Sequence, residues 1–140
     1  MSSPLEAAAQ TAQILLHGLT VTLTVTGGAL LVAAVAAFAA GLAALSPWRV
    51  LRWTATLYVE VFRGTSALVQ LFWFYFVLPF FGVELSAMTA GIAALGLNAG
   101  AYGAEIVRGA IVALPRGQRD AAAALNLSTW QTLRRILLPQ

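Results

Sequence analysis

The sequence predicts an all-α, polytopic membrane protein. Of its 140 residues, 60% are hydrophobic and 9% are charged, whereas a soluble globular domain has about 45–50% and about 25%. Three apolar stretches approach or exceed the length that crosses a bilayer as a helix. Helices are expected because an open sheet cannot satisfy its edge hydrogen bonds in lipid. The chain has no cysteine, which excludes disulfides and thiolate metal sites.

Residues 14–113 are predicted to form the transmembrane domain, after an external segment at residues 1–13. The first span, about 14–45, includes a run of about 30 residues without Asp, Glu, Lys or Arg, where about 20 suffice to cross. The second, about 65–81, is dense in aromatic residues, and the third, about 85–113, is rich in glycine. No positive region precedes the first apolar run, so we expect no cleaved secretory signal.

All eight basic residues are arginines, and the three spans place them on one side of the membrane. They are Arg49, Arg52, Arg63, Arg108, Arg116, Arg119, Arg134 and Arg135. The other side receives Glu6 and Glu84. The positive-inside rule therefore predicts an external N-terminus and a cytoplasmic C-terminus. Arginines scattered between apolar runs form no basic face, so nucleic acid is not expected as a partner.

The cytoplasmic segment, residues 114–140, is predicted to form a helix-turn-helix. Residues 117–125 are rich in alanine, which favours a helix, and Asn126 suits the left-handed turn at a helix end. Ser128 begins a capping-box pattern at the start of a second helix, about 129–138. The residues alone leave two interpretations open: a docking element, or a helix resting on lipid headgroups.

Ionisable residues near the second and third spans require partners, because burying a lone charge in a membrane is costly. Glu60 and Arg63 are three residues apart, as are Glu105 and Arg108, so each pair can close on its own helix. We favour a crossed or shared arrangement that staples the two helices, Glu60 with Arg108 and Glu105 with Arg63. A desolvated carboxylate gains from more than one guanidinium contact.

A polar face is predicted along the third span, at helical spacing. Its residues are Asn98, Tyr102, Glu105 and Gly109. Gln70 in the second span is a similar case. Two interpretations stay open: these residues line a translocation pathway, or Asn98 and Tyr102 make hydrogen bonds between helices. Gly96 and Gly100 lie on an adjoining face and are expected to let another helix approach closely.

Smaller features complete this interpretation. Gly64 is expected to break the helix, and Thr65 to cap the span that follows. Threonines of the first span, such as Thr22 and Thr24, can satisfy their hydroxyls on their own backbone. The aromatic run at residues 72–76 is expected to face lipid or a neighbouring subunit. His17 has no second ligand nearby, so no metal site is expected.

Three long segments resemble ATP-binding-cassette importer permeases for polar amino acids, of the histidine, glutamine, arginine and opine type. They are HGLTVTLTVT from His17, YVEVFRGTSALVQLFWFYFVLP from Tyr58, and LGLNAGAYGAEIVRGAIVALPRGQRDAA from Leu95. The segment DAAAALNLSTWQTLRRILLP from Asp120 resembles the EAA loop of these permeases, with aspartate in place of glutamate and Asn126 in place of glycine. Ser66, where proline is usual, together with Asn126, resembles the variant in ectoine-type permeases.

The resemblance implies a MetI-like permease core in the bacterial cytoplasmic membrane, without a cofactor. It implies that an ATPase subunit is bound by the EAA loop, through Gly117, Asp120, Ala121, Ala122, Asn126, Ile136, Leu138 and Pro139. It also implies an extracytoplasmic solute-binding protein and a second permease subunit, identical or different. Such permeases have about five core helices, so we expect two more than the three spans found here. The sequence has no phosphate-binding loop, so no enzymatic activity is expected.

Two other classes of protein compete with this interpretation. A small membrane scaffold or a homo-oligomeric channel would need no ATPase partner, and its cytoplasmic segment could be scrambled without loss. A secondary transporter would be expected to show internal repeats, and the three spans show no convincing self-similarity.

Overall fold

The computed structural model describes residues 4–113, together with 117, 124–125, 127 and 129–132. Within these residues the regular structure is helical throughout, which confirms the predicted fold class. The helices are α1 (Pro4–Ala43), α2 (Arg49–Gly64), α3 (Ala67–Phe72), α4 (Ala87–Ala113) and the short α5 (Thr129–Thr132). A π-helical turn, Trp73–Val77, and a 3-10 turn, Leu78–Phe81, continue α3 without a break.

Helices α1 and α4 pack against each other and run in the same direction. The residue pairs in contact advance together along both helices: Gly28 with Ile92, Val32 with Gly96, Ala36 with Gly100, Ala37 with Gly103, and Gly41 with Val107. Both helices are long and apolar enough to cross a membrane. Two parallel crossing helices require a crossing in the opposite direction between them.

That return can be made by a broken helix, which consists of α2 and the segment Ala67–Phe81. Together the two parts are long and apolar enough to cross a membrane, and they are bent by 104° at the break. The predicted spans at about 14–45, 65–81 and 85–113 overlap α1, Ala67–Phe81 and α4, whereas α2 lies before the predicted second span. Tyr58 of α2 contacts Leu97, and Phe62 contacts Asn98, so the bend lies near the middle of α4. We call the bend, residues 62–66, the elbow.

Glycines allow the close approach of α1 and α4. A Cβ placed on Gly96 would lie 2.6 Å from Val32 Cβ, and one on Gly100 would lie 2.7 Å from Ala36 Cβ. Real Cβ atoms do not approach so closely, so any larger residue would push the helices apart. The structure thus confirms the predicted packing role of Gly96 and Gly100.

Ser66, rather than Thr65, caps the helix after the elbow. The Ser66 Oγ accepts a hydrogen bond from the backbone N–H of Leu68 at 3.3 Å, and Ser66 has the extended backbone of an N-cap. The Thr65 Oγ1 instead donates to the Val61 carbonyl of α2 at 2.8 Å. The prediction that Thr65 caps the helix is wrong, because α3 begins one residue later than expected.

The return segment is not a regular α-helix at its C-terminal end. Pro79 has no N–H, so the carbonyl four residues earlier loses its helical donor. The preceding turn widens, and the Leu78 N–H bonds to the Trp73 carbonyl, five residues back. Gly82, with φ of 83°, then ends the helix in the left-handed conformation, which glycine adopts without strain.

Threonines in the N-terminal half of α1 bond to their own helix. Thr22 donates to the Gly18 carbonyl at 2.9 Å and Thr24 donates to the Thr20 carbonyl at 2.8 Å. Their hydroxyls are therefore satisfied without an aqueous surface or a second helix, as predicted.

Candidate functional site

A cleft of about 670 Å³ lies between α2 and the C-terminal half of α4. Its polar and charged lining residues are Arg52, Thr56, Glu60, Arg63, Tyr102, Glu105 and Arg108. Beneath it, Ala55 and Val59 of α2 are buried in one cluster with Ala40 of α1 and Ala104 of α4. Five ionisable side chains in one cleft along a membrane-crossing helix mark a candidate functional site.

The face of α2 explains how the sequence builds this lining. Arg52, Thr56 and Glu60 are spaced four residues apart, and Arg63 follows three residues later, so they share one side of the helix. Ala55 and Val59 lie on the adjoining side and are buried. Arg52 and Thr56 were not among the site residues predicted from the sequence, although their spacing relative to Glu60 was a signal that could have identified them.

Glu105 and Arg108 form an ion pair along α4. The Arg108 Nη2 lies 2.8 Å from the Glu105 Oε2, and the Arg108 Nε donates to the Glu105 Oε1 at 3.1 Å. The contact is bidentate, which fixes the orientation of both side chains. The Arg108 side chain is 41% exposed and the Glu105 side chain 33%, so the pair faces the cleft and is not sealed between helices.

The crossed ion pairs favoured from the sequence are absent here. Within residues 4–113, neither Glu60 and Arg108 nor Glu105 and Arg63 bring N and O atoms within 4.0 Å. The guanidinium of Arg63 lies instead over the ring of Tyr102, 5.2 Å from its centroid, in a cation–π arrangement. Glu105 finds its partner one turn away on its own helix, without bridging the cleft.

Gln70 and Asn98 converge on one backbone atom at the elbow. The Gln70 Nε2 and the Asn98 Nδ2 each donate to the Phe62 carbonyl oxygen at 2.9 Å. Because α2 ends at Gly64, this carbonyl is among those that lose an intrahelical donor. Two side-chain amides, one from α3 and one from α4, replace that donor.

Gln70 is held further by Thr65. Its Nε2 lies 2.8 Å from the Thr65 Oγ1 and 3.3 Å from the Thr65 carbonyl. Gln70 is only 8% exposed, and its Oε1 has no hydrogen-bond partner in the structure. The Gln70 amide thus bonds to the elbow residues Phe62 and Thr65 through its nitrogen.

The four predicted pathway residues therefore separate into two pairs. Tyr102 and Glu105 line the cleft, whereas Gln70 and Asn98 do not. For Asn98, the structure shows the hydrogen bond between helices that was the second interpretation. The physical reason is the break at Gly64, which exposes a carbonyl that attracts amide donors at this depth.

Tyr58 also links α2 to α4, and it was not among the residues predicted from the sequence. Its hydroxyl donates to the Leu97 carbonyl at 2.6 Å, and its ring packs against Phe62 with centroids 5.0 Å apart. A tyrosine four residues before Phe62, on the side of α2 that faces α4, was the available signal.

The predicted ATPase-coupling residues lie almost wholly outside the described residues. Gly117 is described and is helical, whereas Asp120, Ala121, Ala122, Asn126, Ile136, Leu138 and Pro139 are not. Helix α5, Thr129–Thr132, falls at the start of the predicted second helix of this segment.

The described residues offer no cluster for a metal ion: no group of three or more His, Cys, Asp or Glu occurs among them. His17 is exposed on α1. The lining of the cleft presents hydrogen-bonding groups and charged groups of both signs, which suit a polar solute.

The chain resembles a known protein family and several named transport proteins. Residues 33–140 match the family described as "Binding-protein-dependent transport system inner membrane component". The chain is 49% identical over 130 residues to the "Probable amino-acid ABC transporter permease protein y4tF" of Sinorhizobium fredii, covering 89% of this chain and 55% of that protein. It is 50% identical over 99 residues to the "Probable amino-acid ABC transporter permease protein YckA" of Bacillus subtilis, covering 71% and 44%.

A solved structure has the same fold. It is described as "Crystal structure of an amino acid ABC transporter with histidines", and it matches with a TM-score of 0.83 and 34% identity. The match covers 100% of this chain and 65% of that chain. The chain spans about half the length of the curated relatives it matches.

Proposed function

The chain belongs to the family of binding-protein-dependent transport system inner membrane components, and from this membership we propose that it forms the pathway of an amino-acid importer driven by ATP. In this proposal it is a transmembrane permease subunit of an ATP-binding-cassette transporter in the bacterial cytoplasmic membrane. The observation that carries the proposal is the charged cleft between α2 and α4, because ionisable groups along membrane-crossing helices are retained for function.

The orientation follows from the arginines and the parallel packing. Parallel α1 and α4, joined by one return, put the start of α1 and the end of α4 on opposite sides. All eight arginines are near or beyond the C-terminal ends of α1 and α4 or on α2. The positive-inside rule then makes the N-terminus external and the C-terminus cytoplasmic, and the cleft lies in the inner half of the membrane.

The cleft suits a zwitterionic solute. Arg52 and Arg63 offer guanidinium groups for a carboxylate, and Glu60 offers a carboxylate for an ammonium group. Tyr102 and Glu105, also in the lining, keep the pathway role predicted for them. Glu105 is already paired with Arg108, so this pair shapes the wall of the cleft. Glu60 is the acidic group of the lining that has no ion pair to another described residue.

Transport requires partners that this chain does not contain. A solute-binding protein would deliver the amino acid to the outer face, and a second permease subunit would complete the pathway. An ATPase subunit would bind the cytoplasmic segment 117–139, and ATP binding and hydrolysis there would switch the cleft between outward and inward access. The chain itself would hydrolyse nothing.

The solute class proposed is a polar amino acid. Both sequence relatives are named as probable amino-acid ABC transporter permeases, and the structural relative is described as an amino acid ABC transporter with histidines. None of these names mentions ectoine, so the ectoine-type assignment from Ser66 and Asn126 stays a prediction. Competition of labelled amino acids and ectoine for uptake would decide between them.

The test is capture of the ATPase subunit. The permease, in its natural full-length form, is purified from membranes with the ATPase subunit of the same organism, comparing Ala121→Trp with a matched control, Ala110→Trp. Ala110 is exposed near the cytoplasmic end of α4, outside the predicted coupling segment. We expect capture by the native protein and the control, and loss of capture with Ala121→Trp.

Absent capture, or capture indifferent to the change at Ala121, would contradict the proposal. It would favour the alternative of a small membrane scaffold or oligomeric channel without an ATPase partner. The amount of each variant in the membrane fraction is measured as well. An unchanged amount shows that a loss of capture reflects lost binding and not lost folding.

A further inference from the structure

We propose that Gln70 and Asn98 act as positioning residues: together they clamp the Phe62 carbonyl, fix the elbow between α2 and α3, and thereby set the shape of the cleft. They do not touch the solute. This inference rests on the proposed function for its link to transport, but its structural part does not depend on it.

The first step of the argument is the cost of breaking a helix in a membrane. Lipid offers no water to backbone groups, so a non-helical segment persists only where its polar groups find partners in the protein. The Phe62 carbonyl is such a group, because α2 ends two residues later. It accepts both amide donors at 2.9 Å, which uses both of its lone pairs.

The second step is geometric. Gln70 belongs to α3 and Asn98 to α4, so the shared carbonyl joins the two arms of the broken helix to the long helix beside them. Gln70 also donates to Thr65, within the elbow itself. The bend of 104° is thus set by three hydrogen-bonded elements and does not depend on Gly64 alone.

The third step connects the elbow to the cleft. Arg63 directly follows Phe62, and its guanidinium lies over Tyr102, one turn beyond Asn98 on α4. Glu60 and Arg63 both line the cleft. Any change in the angle or rotation of the last turn of α2 therefore moves these charged groups relative to Glu105 and Arg108.

A shared acceptor predicts a distinctive pattern in variants. Gln70→Met and Asn98→Leu each remove one donor while keeping a similar size, and the carbonyl retains the other donor. The double variant leaves a part-buried carbonyl without either amide donor, which costs far more than either single loss. We expect strong non-additivity, whereas residues that contact a solute independently would show additive effects.

The experiment measures the elbow directly. Spin labels on cysteines at Val50 and Phe80, which are 78% and 88% exposed, report the distance between the two arms by pulsed electron resonance. The chain contains no cysteine of its own, so labelling within it is specific. We expect native-like distance distributions in both single variants and in the control Thr24→Val, and a broad or shifted distribution in the double variant.

An unchanged distribution in the double variant would overturn the proposal. If the double variant does not accumulate in membranes, hydrogen–deuterium exchange of the elbow amides in the single variants decides. We expect exchange about two- to tenfold faster than in the Thr24→Val control, because one bond to the carbonyl is lost. Exchange equal to the control would equally overturn the clamp.

Uptake measurements then test the link to transport. A positioning role predicts a lower maximal rate in the double variant with an unchanged ranking of amino acids. Solute-specific changes in KM in the single variants, with an intact distance distribution, would instead make Gln70 and Asn98 solute-binding residues. A disturbed elbow together with no ATP-driven uptake in the native protein would leave the clamp standing and reject the proposed function.

Discussion

The hydroxyl of Tyr58 on α2 donates to the backbone carbonyl of Leu97 on α4 across 2.6 Å. This bond and the convergence of Gln70 and Asn98 on Phe62 fix α2 against α4 over one stretch of each helix. The charged cleft begins directly below, towards the C-terminal end of α4. The position of the cleft therefore depends on these polar contacts between helices, which lie near the middle of α4.

Tyr58→Phe is expected to weaken this tie without breaking the fold. The Leu97 carbonyl keeps its helical donor from α4, so the loss should be modest, about 0.6 kcal/mol for a typical hydrogen bond between membrane helices. Thermal unfolding of the purified protein in detergent measures it. A loss as large as that of a core cavity would show that the hydroxyl supports more than this bond.

Gly100→Ala is expected to be strongly destabilising. The new Cβ would lie 2.7 Å from the Ala36 Cβ and 3.0 Å from the Tyr58 hydroxyl, and overpacking of this kind costs about 1–3 kcal/mol. The matched control is Gly109→Ala, where nothing lies within 4 Å. We expect unfolding of the control at or above the native temperature, and equal effects of the two changes would contradict the packing described.

Ser66→Pro is expected to be tolerated, whereas Ser66→Ala is expected to destabilise the helix that follows. Ser66 has φ of −69°, which proline adopts without strain, and Thr65 before it is extended, as a residue before proline must be. Alanine loses the cap to Leu68, at a cost of about 1 kcal/mol. Proline loses it too, but restricts the unfolded chain by a comparable amount. Unfolding temperatures of the two variants check the order.

Reversal of the ion pair along α4 is expected to restore what a single charge change removes. Glu105→Arg alone puts like charges beside Arg108, and adding Arg108→Glu rebuilds the pair at the same spacing. Stability should change by less than about 1 kcal/mol because both side chains are partly exposed, so uptake rate is the sensitive readout. Rescue of Glu105→Arg by Arg63→Glu, and not by Arg108→Glu, would instead support the crossed arrangement.

The fold class could be predicted from the sequence because it depends on local properties. Long apolar runs and the break at Gly64 are local features of one helix. The spacing of Gly96 and Gly100 is also visible along one helix, although these glycines act by letting α1 approach. The small-residue face was predicted from spacing alone, and the parallel packing of α1 and α4 confirms it.

The partners of polar side chains were harder to predict. Spacing alone allowed Glu105 to pair with Arg63 or with Arg108, and only the distance between helices decides between them. For Asn98, with Gln70 as a similar case, the sequence left open a pathway role and a hydrogen bond between helices. Their shared acceptor could not be predicted, because the Phe62 carbonyl loses its helical donor at the elbow, and no local sequence pattern specifies that bend. The cap moved from Thr65 to Ser66 for a similar reason, since helix ends vary by a residue with tertiary context.

The central claim is that the cleft between α2 and α4 is the aqueous surface of a transport pathway. Thr56→Cys places a thiol in the cleft lining, and Thr22→Cys places one on α1, outside that lining. In the native protein both hydroxyls donate to a carbonyl of their own helix, so the two sites differ in their position and not in their bonding. The measurement is labelling of both variants by a membrane-impermeant thiol reagent in inside-out vesicles, with and without ATP and the ATPase partner. We predict rapid labelling at Thr56→Cys that changes when ATP is bound, and no labelling at Thr22→Cys. Failure to label Thr56→Cys, or labelling that ignores the nucleotide state, would contradict the account.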